Sequence, residues 1–211
     1  MALNFSEKPK AARKDFGRAD DGAYPARICQ LIDFGKQYAT DFQTGEVKKY
    51  DDGNPIIQHK VWITFELPTE TIEVDGEARP RWYGKEYTLS THEKAALTAL
   101  MKAADPKGEH TTKGRNPHGL LGLPVMVTIG STKSGKAKVA AVTAVPKGLQ
   151  VDPLANPETF FDLDSDDMEV FDSLPDWMKN RIKEGVDFDD TKFYQAINAK
   201  DVSSGATSAD Y

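Results

Sequence analysis

The alternation between His59 and Leu67 constrains this chain more than any other feature. Val61, Ile63, Phe65 and Leu67 fall on one side, with Lys60, Trp62, Thr64 and Glu66 on the other. A period of two marks a half-buried strand, because successive side chains leave opposite faces of the pleat. Residues 24–34 repeat the pattern, with Tyr24, Ala26, Ile28, Gln30, Ile32 and Phe34 on one face. Pro25 confines the start of that strand to a sheet edge. Asp75-Gly76 separates the 59–67 strand from another at 81–89, so the two form an antiparallel ribbon that residues 71–74 can extend. Two further strands, 125–129 and 138–145, are joined by a Gly-, Ser- and Lys-rich tip at 130–137.

Between the third and fourth strands stands a helix signal. Ser90-Thr91-His92-Glu93 is a capping-box pattern, Leu97, Leu100, Met101 and Ala104 share one helical face, and Asp105-Pro106 ends the segment. Five strands with a helix between the third and fourth is the element order of an OB-type β-barrel. The expected fold is therefore mainly β, with a binding face over strands two and three. That face lies between the first connection, 35–54, and the last hairpin.

Charge divides the chain. Up to Gln150 cations exceed acids by four, and beyond it acids exceed cations by ten, within a formal total of -6. Residues 1–22, with Lys8, Lys10, Arg13, Lys14 and Arg18, read as a flexible basic arm ahead of a domain at 23–150. Residues 151–199 read as an acidic extension with short helices, and 200–211 as a disordered tail. In the extension Ser173 can cap a helix reaching Arg181 or Lys183, with Leu174, Trp177, Met178 and Ile182 as its apolar stripe. No apolar run approaches the roughly 18 residues of a membrane span, and no secretory signal is visible. The single cysteine, Cys29, forms no internal disulfide, which favours a reducing, cytoplasmic setting.

Motifs for chemistry fail on inspection. Residues 130–137 nearly match a phosphate-cradling loop, but Ala137 stands where a magnesium-binding hydroxyl belongs, and β-branched residues follow where a helix must start. A basic hairpin tip fits better. Asp162, Asp164 and Asp166 alternate as in a calcium loop, yet Asp167 and Ser173 occupy the positions of its glycine and bidentate glutamate. His59, His92, His110 and His118 lack zinc-ligand spacing. The chain reads as a non-enzyme with no cofactor and no metal.

What survives is aromatic rings interleaved with cations. Trp62 lies opposite the apolar face, near Lys60; Arg81, Trp82, Tyr83 and Lys85 follow on the next strand, where either Trp82 or Tyr83 faces outward. Tyr38, Lys48, Lys49 and Tyr50 lie in the first connection, and Lys133, Lys136 and Lys138 on the last hairpin. Such residues suit single-stranded nucleic acid, whose bases stack on rings while phosphates meet cations. A structural reading stands beside it: Trp62 packs beneath the extension, and the hairpin lysines protect an edge.

Several segments together resemble bacteriophage single-stranded DNA-binding proteins: Tyr24-Pro25-Ala26-Arg27-Ile28, the stretch from Lys60 to Pro68, Ser90 to Leu97, Leu120-Leu121-Gly122-Leu123-Pro124-Val125 and Leu174-Pro175-Asp176-Trp177-Met178. The resemblance runs from about Tyr24 to Glu184 and rests on order and spacing. It implies an OB-fold protein that coats single-stranded DNA during phage replication or recombination with little sequence preference. It also implies recruitment of phage replication proteins through an acidic carboxy-terminal region. Ala209-Asp210-Tyr211 ends with an aromatic, but the dense acids lie inward, from Asp162 to Glu169. The competing expectation is a protein-interaction or assembly module on the same barrel, without nucleic acid.

Overall fold

A computed structural model describes residues 17–205 except Phe42 and Arg115, with the backbone alone for 200–205. The five long strands are β1 (Gly22–Tyr38), β2 (Ile57–Val74), β3 (Glu77–Thr88), β4 (Pro124–Ser131) and β5 (Ala137–Thr143). They form one antiparallel sheet in the order β3-β2-β1-β4-β5. The sheet curls into a half-barrel, bringing β3 towards β5. Helix α1 (Ala96–Ala104) packs across β3, β4 and β5. A short β6 (Thr159–Phe161) adds to β1 in parallel at Gln30–Ile32. Pro25, which cannot donate to a ladder, stands where β1 pairs with β4 alone, since pairing with β2 begins at Arg27.

The inner face follows the alternation on β2: Val61, Ile63, Phe65 and Leu67 are buried with Ala26, Ile28, Leu31, Leu97, Leu100, Val125, Val127 and Ile129. On β1 the expected single apolar face does not form. Its register slips by one residue between Ile28 and Gln30, and again between Asp33 and Gly35. One inserted residue moves every later side chain to the other face. Leu31 therefore joins the inner core, while Ile32 and Phe34 turn outward. The residue at the first bulge is Cys29, 1% exposed, and burial, with Glu66 nearby, pushes its thiol up to about 12. It packs as a small apolar group.

The outward pair seeds a second core. Ile32 and Phe34 pack with Phe161, Leu163, Phe171, Leu174, Met178, Ile182, Phe188 and Phe193 of the carboxy-terminal extension. That extension contains α2 (Met168–Ser173), α3 (Asp176–Lys183) and α4 (Lys192–Gly205). Helices of six and eight residues are marginal alone, so α2 and α3 depend on this docking. Gly35 makes room for it: its φ is +69°, and a Cβ there would sit 2.7 Å from Leu163 Cδ1.

Two charged side chains at one register position tie the connection down. Arg27 pairs with Glu66 across β1 and β2. The Arg27 guanidinium donates to the carbonyls of Asp152, Gly122 and Val151 at 2.7, 2.7 and 2.8 Å. The Glu66 carboxylate, with no exposed surface, accepts from the Ala155 amide, Asn156 Nδ2 and Trp82 Nε1 at 2.7, 2.7 and 2.9 Å.

Local signals were misplaced in three helices. The Ser90 hydroxyl accepts from the His92 amide instead of the Glu93 amide, and α1 starts at Ala96 behind an uncapped Ala95, so the capping box is not formed. The helix expected from Ser173 ends at Lys183 as expected but starts later, at Asp176 behind Pro175, because Ser173 closes α2, which Asp167 caps through the Val170 amide. Helix α4 continues through Gly205, into the segment expected to be disordered. Of the basic arm, residues 1–16 lie outside the described residues, as do residues 206–211, the terminal Ala209-Asp210-Tyr211 among them. The arm's end at Ala19 is buried, its amide donating to the Tyr83 hydroxyl at 2.8 Å. No described helix is long and apolar enough to cross a membrane.

Two measurements check these contacts. Glu66→Ala strands three donors, so it should lower the unfolding free energy by about 2–4 kcal/mol in urea, with Glu66→Gln losing less. His59 Nε2 lies 2.6 Å from Asp33 Oδ1. That hydrogen bond, aided by the charges of Asp33 and Asp187, raises the His59 pKa above the ordinary histidine value of about 6.5 despite burial. The stabilisation is thus complete below about 6.5 and disappears as pH rises through the higher folded-state value. A melting profile should fall over that interval, and His59→Gln should flatten it.

Candidate nucleic-acid interface

The outer face of β1, β2 and β3 carries the even-numbered residues of β2. Its rows are Ile32, Trp62 and Glu86; Gln30, Thr64 and Gly84; and Glu66 with Trp82. The alternation on β3 settles which ring faces outward. Trp82 is on this face, 44% exposed, whereas Tyr83 pairs with Phe65 and packs on the inner core. Arg81 and Lys85 share the Tyr83 side; Arg81 donates to the Gly17 carbonyl, and Lys85 Nζ lies 5.4 Å from the Tyr87 ring centroid.

Trp62 is half-buried against the extension. Its ring stacks on Phe34 with centroids 6.3 Å apart and meets Trp177 edge-on at 4.9 Å. Its far edge lies over Gly84, where a Cβ would come within 2.2 Å of the indole. Glycine is thus the residue that fits at 84. Lys60, near Trp62, is not open to a ligand: its Nζ lies 2.9 Å from Thr88 Oγ1 and 3.6 Å from Glu86 Oε1, and Arg181 reaches the other Glu86 oxygen.

Between the sheet and the turn from α2 to α3 runs a groove of about 410 Å³. Trp62, Thr64, Gln30 and Gly84 line its sheet side, Trp82 stands at one side, and Leu174, Pro175 and Met178 form the opposite wall. No Lys or Arg lines it. It suits a flat, uncharged ring better than a phosphate.

The free cations lie elsewhere. Residues 39–56 fold back on themselves through bridges Thr40 to Val47 and Lys49 to Pro55, with Asp41 and Asp52 ordering the turns. This loop exposes Tyr38 and Tyr50, at 44% and 58%, beside Lys48 and Lys49, which form no ion pair among the described residues. Its base at Ile57 is five residues along β2 from Trp62, about 17 Å at 3.3–3.4 Å per residue. Lys133, Lys136 and Lys138 stand on the β4–β5 hairpin, where the Gly135 amide bonds to Thr132 and no helix follows. The register puts that hairpin beside Gly22 and the 39–56 loop beside Tyr38, at opposite ends of β1, with the groove beside the strand's middle. The acids near Asp162 serve turns and a cap: Asp162 Oδ1 accepts from the Asp164 amide.

Sequence reasoning singled out the rings but not the residues that shape the groove. Gln30, Thr64, Gly84 and Thr159 are ordinary strand residues, and only the register reveals that they converge. Replacing Gly84 by Ala should expel the Trp62 ring from its place under Trp177. Near-ultraviolet circular dichroism should lose intensity and the melting temperature should fall, whereas Ala at the exposed Gly76 turn, where φ is +85° and no atom is near, costs only backbone strain.

No family model matches the chain, and neither a curated protein nor a solved structure does.

Proposed function

We propose that this protein binds single-stranded DNA with little sequence preference, as an OB-type barrel, and coats it during phage replication or recombination. The strand order β3-β2-β1-β4-β5, with α1 between β3 and β4, supports the barrel assignment. The observation that carries the binding is the pairing of exposed phenols with lysines free of ion pairs among the described residues at Tyr38, Lys48, Lys49 and Tyr50, on the same sheet as a groove flanked by exposed Trp82. Stacking on such rings is worth about 1–3 kcal/mol per base and does not depend on base identity. The total of -6 does not oppose it, because charges beyond about 8–10 Å are screened at ordinary salt. The exposed acids from Asp164 to Glu169 are then available to a replication partner.

A second reading has one observation of its own. Trp62 rests on Trp177, so part of the aromatic set serves packing. On that reading the barrel is a protein-interaction module, and Trp82 with Trp177 meets a partner protein.

Titration with oligothymidine separates the two. Binding should quench the fluorescence of exposed Trp82 and Trp177, and affinity should fall with salt at a log-log slope of about -0.7 per phosphate neutralised. Lys48→Glu with Lys49→Glu should weaken binding at least about tenfold at low salt and flatten that slope by roughly two phosphates. No affinity of the unaltered protein for oligothymidine at low salt would overturn the proposal.

A further inference from the structure

The floor of the groove contains a chain of hydrogen bonds whose direction is fixed by chemistry. An indole N–H only donates, so Trp62 Nε1 gives its proton to Thr64 Oγ1, 3.1 Å away. Thr64 gives its own proton to Gln30, whose Oε1 lies 2.8 Å from the hydroxyl. Flipping the carboxamide would leave the Thr64 proton with no acceptor among the described residues. Its Nε2 is left with no partner among the described residues, although Gln30 is only 7% exposed. Among the described residues, every side-chain nitrogen or oxygen wholly shut off from solvent has a partner. The Nε2 group therefore opens on the groove that Gln30 lines. Thr159, paired with Gln30 across β1 and β6, lines the same groove, and its hydroxyl too has no partner among the described residues.

We infer that this groove is a base pocket, taking one nucleobase turned out of the bound strand, with Gln30 Nε2 donating to a ring carbonyl. The inference rests on the single-stranded DNA reading and assigns the groove a role within it. A pyrimidine imide edge, as in thymine, matches best: its carbonyl accepts from Gln30 and its N3–H donates to Thr159 Oγ1. A purely apolar occupant would cover the amide and leave it without a partner. The space of about 410 Å³, walled by Trp62 and Trp82 and free of lysine and arginine, suits a neutral flat ring whose phosphates lie outside.

The test compares oligothymidine with an oligomer of the same length in which 2,4-difluorotoluene, a ring of thymine's shape lacking its strong acceptors, replaces the bases. The unaltered protein should prefer oligothymidine about tenfold, the scale of one hydrogen bond. Gln30→Leu should abolish the preference while leaving the salt dependence unchanged, and Gln30→Met, nearer in length, should do the same. Equal binding of both oligomers by the unaltered protein, as expected if a partner protein's side chain fills the groove, would overturn the inference while leaving strand binding intact. Retention of the preference in the folded variants would also overturn it. Failure to bind either oligomer would remove the strand-binding reading itself, and the pocket with it.

Discussion

The bulge at Cys29 is the constraint from which the rest of the architecture follows. A regular β1 would bury Ile28, Ile32 and Phe34 on one side, and the sheet would have a single core. The one-residue slip gives β1 two apolar faces in sequence, first towards the barrel and then away from it. An apolar outer face on a curled sheet cannot be left in water without becoming a sticky patch. The acidic extension covers it, and the burial of large side chains, about 1.5–3 kcal/mol each, is what orders helices too short to persist alone.

That covering reaches β3 at Glu86 through Arg181 but leaves a gap beside Gly84 and Trp82, and the groove occupies it. The extension's wall is Leu174, Pro175 and Met178, the sheet continues to Trp82, and Gly84 keeps the floor low enough for Trp62 to lie across it. Buried Glu66 holds the Trp82 indole, the Ala155 amide and the Asn156 side chain with one carboxylate, which couples the ring's position to the route of the connection. Charge is segregated accordingly. Cations near the rings are neutralised by Glu86, while those of the 39–56 loop and the β4–β5 hairpin face solvent. Flat rings and solvent-facing cations thus occupy separate parts of the surface.

The β2 alternation was legible because every odd residue from Val61 to Leu67 is buried with no interruption. The ribbon around Asp75-Gly76 and the hairpin tip at 130–137 were legible for the same reason, turn chemistry between regular strands. The reversal on β1 was not. Its residues fit uniform alternation, and nothing in Ile28-Cys29-Gln30 announces an inserted residue, because a bulge is chosen by partners distant in sequence. Ser90 shows the converse failure: a capping pattern was present, but the helix that buries Leu97, Leu100 and Met101 starts at Ala96. Among the site residues, the rings were visible as types in a pattern. Gln30 was visible only as a polar interruption of an apolar face, and its meaning depended on a slip that the sequence does not display.

Photocrosslinking of the protein to oligonucleotides carrying 5-iodouracil, with the attachment points read by mass spectrometry, tests the account most directly. Attachment should concentrate on Trp82 and on Tyr38 and Tyr50. Attachment confined to surfaces remote from the groove and the 39–56 loop, such as the face of α1, would contradict it.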